Sequence, residues 1–269
     1  MNWWGKLIGG VLGTATMGPI GAILGVVVGH LFDQGLDSID TGDNIAGDTE
    51  RTQAVFFTAT FSIMGCIAKA DGKVTPDEIQ LANHVMEQMN LLPEQKRAAR
   101  ELFNEGKESD FLFDAVMEQF RLECHQNNNL IQMFLEIQIM TAMADGELHD
   151  TEEQLLLAIA SQLGFSVFSL QSILGRIQAE QAFHQQRSGK GYRQQGNHQS
   201  ELNLAYSVLG IEKTASKEEI KKAYRRLISQ HHPDKLVSKG LPEEMMKSAT
   251  EKIQEIKSAY DQIKKAKGF

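Results

Sequence analysis

The longest apolar segment lies close to the amino terminus. From Leu7 to Leu31 the chain contains no Asp, Glu, Lys or Arg. At about 1.5 Å per helical residue this segment would reach roughly 37 Å, enough to cross a hydrocarbon core of about 30 Å. A buried glycine-rich hairpin and a cleaved signal peptide are the alternatives, although the apolar core of a signal peptide is shorter. The pattern predicts a single transmembrane helix at 7–31, preceded by a tail at 1–6.

Glycines recur within this segment at intervals of four residues. Four residues are slightly more than one helical turn, so these glycines form a stripe on which a second helix can approach closely. Small residues are also common in membrane helices for other reasons. We expect the stripe to support a homodimer in the membrane. It consists of Gly9, Gly13, Gly21, Gly25 and Gly29.

The middle of the chain has the apolar spacing of helices. Between residues 51 and 177 apolar side chains recur every three or four positions, as in Phe57, Phe61 and Met64. Proline is rare there and no alternating strand pattern occurs. We expect a helical domain of six or seven helices at 51–177, after an acidic juxtamembrane segment at 32–50.

One segment of this domain occurs twice. The sequence Ala-Asp-Gly-Lys-Val at 70–74 corresponds to Ala-Asp-Gly-Glu-Leu at 144–148. One helix is expected to end at each Asp-Gly and another to begin shortly after it, so the domain consists of two related halves. Thr-Pro-Asp-Glu at 75–78 is typical of a helix capping box, and Asp150 and Glu153 could cap the second copy.

The acidic residues that recur in the two copies could alternatively bind a divalent metal ion. Carboxylate oxygens suit Ca²⁺ or Mg²⁺, but an EF-hand loop needs further oxygen ligands that are missing from both copies. Turns and helix caps are therefore the favoured interpretation, and we expect no cofactor. The residues of the alternative metal site would be Asp71, Glu78, Asp145 and Glu152.

The doubled Asp-Gly-x-Val/Leu segment within an all-helical domain resembles the TerB-type domain, first named for tellurite resistance. The resemblance covers about half of the chain, and metal binding has been attributed to some members of that family. Cys66 and Cys124 fall in apolar stretches of the domain and are expected to be reduced core residues.

A polar segment separates this domain from the carboxy-terminal part. Residues 178–199 contain seven glutamines and three glycines, a composition that buries little apolar surface. We therefore expect a flexible linker at 178–201. Its arginines are sparse and its aromatic residues isolated, which argues against nucleic acid as a partner.

The charge of the chain is unevenly distributed. The net charge is −8, but from Glu201 onward 14 Lys and Arg outnumber 10 Asp and Glu. A helix is expected there from Ser216 or Lys217 to His231, and four cations lie one turn apart along it. A solvated basic face is the alternative to a docking surface for an acidic partner. The four cations are Lys221, Lys222, Arg225 and Arg226.

The tripeptide His232-Pro233-Asp234 follows this helix and ends it, because proline cannot continue a helix. An exposed loop beginning at Asp234 is expected next. A second long helix then begins near Pro242, and its apolar stripe would pack against the basic helix. The pattern predicts a small helical hairpin at 202–269.

A basic helix, the tripeptide and an antiparallel partner helix together resemble the J domain, over about Asn203–Phe269. The resemblance implies binding to a DnaK-type chaperone and stimulation of its ATPase through His232, Pro233, Asp234 and the four cations. Tyr224 matches a position that either contacts the partner or packs in the core. The glycine- and phenylalanine-rich segment and the zinc module of general substrate-delivering J proteins are missing.

The order of span, TerB-like domain, linker and J domain is similar to that of bacterial membrane-anchored DnaJ-like co-chaperones. No nucleophile–base pair or phosphate-binding loop occurs, so we expect an activator of a partner ATPase rather than an enzyme. The alternative function is an envelope-stress scaffold or sensor whose TerB-like domain is the working part, with the J domain only recruiting chaperone.

The two available arguments about orientation disagree. Lys6 is the only positive charge before the span, and by the positive-inside rule alone it would keep the amino terminus in the cytoplasm. DnaK-type chaperones and ATP are cytoplasmic. We therefore expect a bacterial inner-membrane protein whose carboxy terminus and bulk lie in the cytoplasm.

Overall fold

The computed structural model describes residues 20–21, 48–89, 91–188, 198–237 and 246–269. Within these ranges the helix is the only regular element, as the all-α prediction requires. The helices are α1 (Asp48–Lys69), α2 (Pro76–Gln88), α3 (Pro93–Gly106), α4 (Phe113–Cys124), α5 (Asn128–Ala142), α6 (Asp150–Gln162), α7 (Val167–Ser188), α8 (His198–Leu209), α9 (Lys217–Gln230), α10 (Pro233–Val237) and α11 (Met246–Lys267).

The described helices form two compact units. The first contains α1 to α6 and reaches Phe165, and the second begins at Ser166 and contains α7 to α11. None of the helices in the described ranges is long and apolar enough to cross a bilayer. The predicted span at 7–31 lies outside these ranges except for residues 20 and 21, which are helical.

The first unit is built around α1, in which every residue from 52 to 65 is buried. Phe56 of α1 packs against Phe120 of α4 and Phe134 of α5, with ring centroids 6.3 Å and 6.5 Å away. The rings of Phe120 and Phe134 are themselves 4.2 Å apart. This aromatic cluster joins three helices in the core of the first unit.

Two glycines allow α1 and α3 to pack closely. A Cβ atom on Gly65 would come within 1.9 Å of the carbonyl oxygen of Phe103, and one on Gly106 within 1.8 Å of the carbonyl oxygen of Ser62. No side chain fits at either distance. The two helix backbones therefore touch directly, which a larger residue at either position would prevent.

The positions of the described helices confirm the predicted repeat. Pro76–Gln88 and Asp150–Gln162 have the same length, and their starting positions are separated by the same offset as the two Asp-Gly segments. Helices α3 and α7 begin at Pro93 and Val167, again with that offset. The repeated segment therefore marks a three-helix unit, α1–α3, whose second copy is α5–α7.

The two Asp-Gly turns have the same geometry. Gly72 and Gly146 have φ angles of +94° and +93°, a left-handed conformation that glycine adopts without strain. The side chains of Asp71 and Asp145 each accept a hydrogen bond from the backbone N–H two residues on, at 2.9 Å and 3.0 Å. These short bonds explain why aspartate precedes glycine in both copies.

The prediction of a flexible linker beginning at residue 178 was wrong. Helix α7 continues through that position to Ser188, and α8 begins at His198, within the predicted linker at 178–201. Ala179 and Phe183 lie four residues apart on one face of α7, and both are buried. Glutamine is a good helix former, so a glutamine-rich sequence with one apolar face folds once it has a surface to pack against.

The second unit has a single apolar core. Helices α8, α9 and α11 contribute most of its buried side chains, and α7 contributes two. Helix α8 ends at Gly210, where φ is +63° and the N–H of Ile211 reaches back to the carbonyl oxygen of Tyr206 at 3.1 Å. One cluster of these buried side chains consists of Ala179, Phe183, Ala205, Tyr206, Val208, Leu209, Ala215, Ile220, Leu227, Ile256, Ala259 and Ile263.

Candidate functional site

The basic helix α9 begins at a capping box. The side chain of Ser216 accepts a hydrogen bond from the backbone N–H of Glu219, and the carboxylate of Glu219 accepts one from the N–H of Ser216 at 2.7 Å. These hydrogen bonds hold the pKa of Glu219 below its usual range. The start of the helix is therefore fixed, which sets the direction in which each later side chain points.

The inner face of α9 packs through Ile220, Ala223 and Leu227, which are all buried. Its other face carries the four predicted cations. Lys222, Arg225 and Arg226 are exposed, and Lys221 is half-buried. The structure thus brings these cations together on one helix, where they form a contiguous positive surface.

The predicted tripeptide directly follows α9. His232 and Pro233 are half-buried, whereas Asp234 is exposed. In the described part of the chain Nδ1 of His232 has no hydrogen-bond partner although solvent does not reach it. The tripeptide therefore lies at the end of the basic face of α9, with the side chain of Asp234 open to solvent.

The prediction that an exposed loop begins at Asp234 was wrong, because the chain there is helical. Residues Pro233–Val237 form the short helix α10, with the N–H of Leu236 donating to the carbonyl oxygen of His232 at 3.0 Å. Leu236 is fully buried, and the ammonium group of Lys235 donates to Oγ of Ser229 in α9 at 2.7 Å. Proline suits the first turn of a helix, so it ends α9 and begins α10.

Tyr224 is at least in part a core residue. Its ring stacks on that of Tyr260 in α11, with centroids 4.2 Å apart and planes inclined by 23°. Burial is the main cause that raises the pKa of its hydroxyl, and the nearby charge of Asp261 adds to it. Its half-buried side chain still leaves part of the ring accessible beside the cations.

The two glutamates of the candidate metal site serve as helix caps, and its two aspartates stabilise the Asp-Gly turns. Glu78 accepts a hydrogen bond from the N–H of Thr75 at 2.6 Å, and Glu152 accepts one from the N–H of His149 at 3.0 Å. The first bond completes the predicted capping box. In the second copy the cap is formed by Glu152 and His149 rather than by Asp150 and Glu153, because the third helical position faces the cap residue.

The two acidic turns influence each other electrostatically. Burial is the largest cause that raises the pKa values of Glu78 and Glu152, and the charge of Asp145 raises both further. Hydrogen bonding to Asp145, whose carboxylate lies 3.4 Å from Nε2 of His149, raises the pKa of that histidine. Among the described residues no group of three or more His, Cys, Asp or Glu has the arrangement of a metal site.

The two cysteines are core residues, as predicted. Cys124 is buried and Cys66 is half-buried, and both are free thiols. Burial raises the pKa of Cys66 to about 11 and is the main cause that raises the pKa of Cys124 to about 12. Both side chains are therefore protonated at neutral pH and poor nucleophiles.

One charged group with structural importance was not predicted. Glu180 of α7 is buried, and its carboxylate lies 2.7 Å from Nζ of Lys252 in α11 and 3.5 Å from Nη1 of Arg176. The four-residue spacing of Arg176 and Glu180 was visible in the sequence. Their burial was not visible, because it depends on α11, which comes much later in the chain.

Three family models match the chain, each to a different part. Residues 1–39 match the co-chaperone DjlA transmembrane domain, residues 57–173 match the tellurite resistance protein TerB, and residues 204–267 match the DnaJ domain. The order of the three matches is the predicted order of span, TerB-like domain and J domain.

Full-length relatives share the whole of this arrangement. A co-chaperone protein DjlA of Coxiella burnetii is 46% identical over 275 residues, with all of both chains covered. The corresponding protein of Photobacterium profundum is 43% identical with 99% of each chain covered, and that of Escherichia coli O157:H7 is 42% identical with full coverage. The chain belongs to the DjlA co-chaperone family. No solved structure matches it.

Membership of the DjlA family confirms the predicted class of protein. The chain is a membrane-anchored, DnaJ-like co-chaperone, and its J domain makes it a regulator of another protein. The transmembrane match includes the predicted span, and the DnaJ match includes the tripeptide and the basic face of α9.

Proposed function

We propose that the chain stimulates the ATPase activity of a DnaK-type chaperone through the tripeptide and the basic face of α9. The observation that carries this proposal is the position of the tripeptide, which directly follows the basic face of α9 within the residues that match the DnaJ domain. Three exposed cations lie on the helix that leads directly to the tripeptide. An acidic surface on the chaperone would complement these cations.

The mechanism is an effect on the chaperone's conformational equilibrium. The J domain would bind more tightly to the chaperone conformation that hydrolyses ATP, and that difference in affinity is all that stimulation requires. The cations of α9 would speed the encounter and orient the docking surfaces. The tripeptide would then make the specific contact, so the J domain needs no catalytic group of its own.

The test is to replace His232 with Gln in the full chain and measure the steady-state ATPase rate of a DnaK-type chaperone. We expect stimulation to be abolished while the helical content and unfolding midpoint are unchanged, because His232 is only half-buried.

A second experiment tests the basic face of α9. The double variant Arg225→Ala/Arg226→Ala should require a higher concentration of J protein for half-maximal stimulation.

Lys257→Ala is the matched control for the cations, since Lys257 is an exposed cation on another helix of the same unit. It should stimulate as the unaltered chain does. If His232→Gln retained full stimulation, the tripeptide would not be the contact and the proposal would fail.

We further propose that the protein lies in the bacterial inner membrane with one span at 7–31 and its J domain in the cytoplasm. The match to a transmembrane domain at residues 1–39 supports the anchor, and the need to reach ATP-dependent chaperone supports the orientation. On spheroplasts, external protease should leave the J domain intact. Digestion from outside would contradict this orientation.

A further inference from the structure

The second half of α7 is joined to the J domain by apolar contacts. Ala179 is 6% exposed and Phe183 is 3% exposed, and both belong to the same buried cluster as side chains of α8 and α11. The two residues are four apart, so they lie on one helix face. Burial of Phe183 in this cluster shows that the glutamine-rich end of α7 packs against α8 and α11 and is not an independent segment.

A buried ion pair ties the same part of α7 to α11. The side chains of Arg176 and Glu180 are 5% and 8% exposed, and that of Lys252 is 16% exposed. Nζ of Lys252 lies 2.7 Å from Oε2 of Glu180, within the range of a charge-assisted hydrogen bond. Charges buried to this extent persist only when they are paired, so this contact specifies how α7 is placed on α11.

Helix α7 is longer than its counterpart in the first copy of the repeat. Its counterpart in the first copy, α3, begins at the equivalent residue but ends at Gly106, whose equivalent is Glu180. Gly106 has no space for a Cβ atom because it packs against the backbone of α1. The second copy carries a charged residue at this position and extends the helix to Ser188, and the added part contains Phe183.

From these contacts we propose that α7 is a positioning helix of the J domain, docked in cis on α8 and α11 through Phe183 and the Glu180–Lys252 pair. The TerB match ends at residue 173, inside α7, so one helix is shared by the last part of the TerB-like repeat and the J domain. Stimulation of the chaperone then depends on residues that are outside the tripeptide and the basic face.

The test uses charge reversal in the full chain, in detergent or a lipid nanodisc. Glu180→Lys would place three positive groups around one buried site, and we expect hydrogen-exchange protection of α8 and α11 amides to fall by about tenfold or more. Stimulation of a DnaK-type ATPase should fall with it. The double variant Glu180→Lys/Lys252→Glu should restore part of both, because the carboxylate at 252 would again lie beside the cations at 176 and 180 and the net charge of the three side chains would return to its original value.

Lys257→Glu is the matched control, because it makes the same charge change as Lys252→Glu at an exposed position of α11. It should change neither measurement. Unaltered protection in Glu180→Lys, or a double variant no better than the single one, would show that α7 is not docked by this pair. Loss of protection with full stimulation would refute its influence on J-domain activity.

Phe183→Ala gives a second route that involves no charge, and it should lower the protection of α8 in the same way. Hydrogen exchange needs no chaperone, so this inference can be tested even if the unaltered chain does not stimulate an ATPase. In that case the proposed function would fail while the docking of α7 would still be decided.

Discussion

Glu78 and Glu152 are buried carboxylates whose main task is to hold the first turn of a helix. Each is less than one-tenth exposed and accepts a hydrogen bond from the backbone of the cap residue. Burial disfavours the charged form more than these bonds favour it, so the pKa of each is raised. The folded chain is therefore favoured when these two carboxyls are protonated, at low pH, and is less favoured when they are ionised, at neutral pH.

This balance predicts a specific pH dependence of stability. A raised pKa means that the folded chain binds these protons more tightly than the unfolded chain, so the stabilisation is lost as pH rises above the usual carboxyl value of about 4.3. Glu78→Gln/Glu152→Gln keeps a capping side chain without the charge. Relative to the unaltered chain, its free energy of unfolding should rise from about pH 4 and level off once the pH exceeds the raised pKa values of the two carboxyls.

The measurement is urea unfolding of the full chain in detergent at several pH values. Glu153→Gln serves as the control, because Glu153 is an exposed neighbour in the same helical turn. Its stability should run parallel to that of the unaltered chain. If the free energy of unfolding of the double variant changed with pH as that of the unaltered chain does, the two buried carboxylates would not be the source of the pH dependence.

At the scale of helices, the close packing of α1 and α3 depends on two missing side chains. A Cβ atom on Gly65 or Gly106 would meet a backbone carbonyl oxygen at less than 2 Å, so one helix would have to move. We expect Gly65→Ala and Gly106→Ala each to destabilise the first unit by about 1–3 kcal/mol or more, as overpacking does.

Gly175→Ala on α7 is the matched control for these two variants. Gly175 lies within a helix and is not buried, and its added Cβ would meet nothing within 4 Å. The same substitution should there stabilise the helix by about 0.5–1 kcal/mol, because alanine has the higher helix propensity. Chemical unfolding can measure all three, with hydrogen exchange of α1 for Gly65→Ala and Gly106→Ala and of α7 for Gly175→Ala. Equal effects at the three positions would contradict the packing argument.

Local patterns allowed some elements to be predicted from the sequence and not others. The capping box at 75–78 and the end of α9 at the tripeptide depend on residues within four positions of each other, and both were predicted correctly. Whether residues 178–188 form a helix depends on the apolar surfaces of α8 and α11, against which they pack. Averaged composition therefore indicated a linker, although Ala179 and Phe183 already had helical spacing.

The candidate site was predictable to a similar degree. The cations of α9 and the tripeptide are consecutive or one turn apart, so their common surface follows from helix geometry alone. The Glu180–Lys252 contact joins residues that are far apart in the chain, and no local pattern indicates it. The same holds for the mutual influence of the two acidic turns, which depends on how α2 and α6 are placed in the first unit.

At the scale of the whole molecule, self-association is the open prediction about the span. Gly25→Leu would interrupt the stripe of small residues at 7–31, which lies outside the described ranges apart from residues 20 and 21. Because close approach of two helix backbones requires small side chains, we expect dimerisation in membranes to decrease.

Energy transfer between labelled chains in liposomes can measure this effect. Val26→Leu adds bulk next to the stripe without interrupting it and should leave association unchanged. If Gly25→Leu associated as strongly as the unaltered chain, the stripe would have no role in a dimer.

The shared helix α7 has a consequence for how the chain folds as it is synthesised. Lys252 is made well after Glu180, and at about 5–20 residues per second the ribosome adds this partner roughly 4–14 s later. During that interval Phe183 and Glu180 have no J domain to cover them. A co-chaperone thus presents, during its own synthesis, an uncovered helix to the chaperones of the cell.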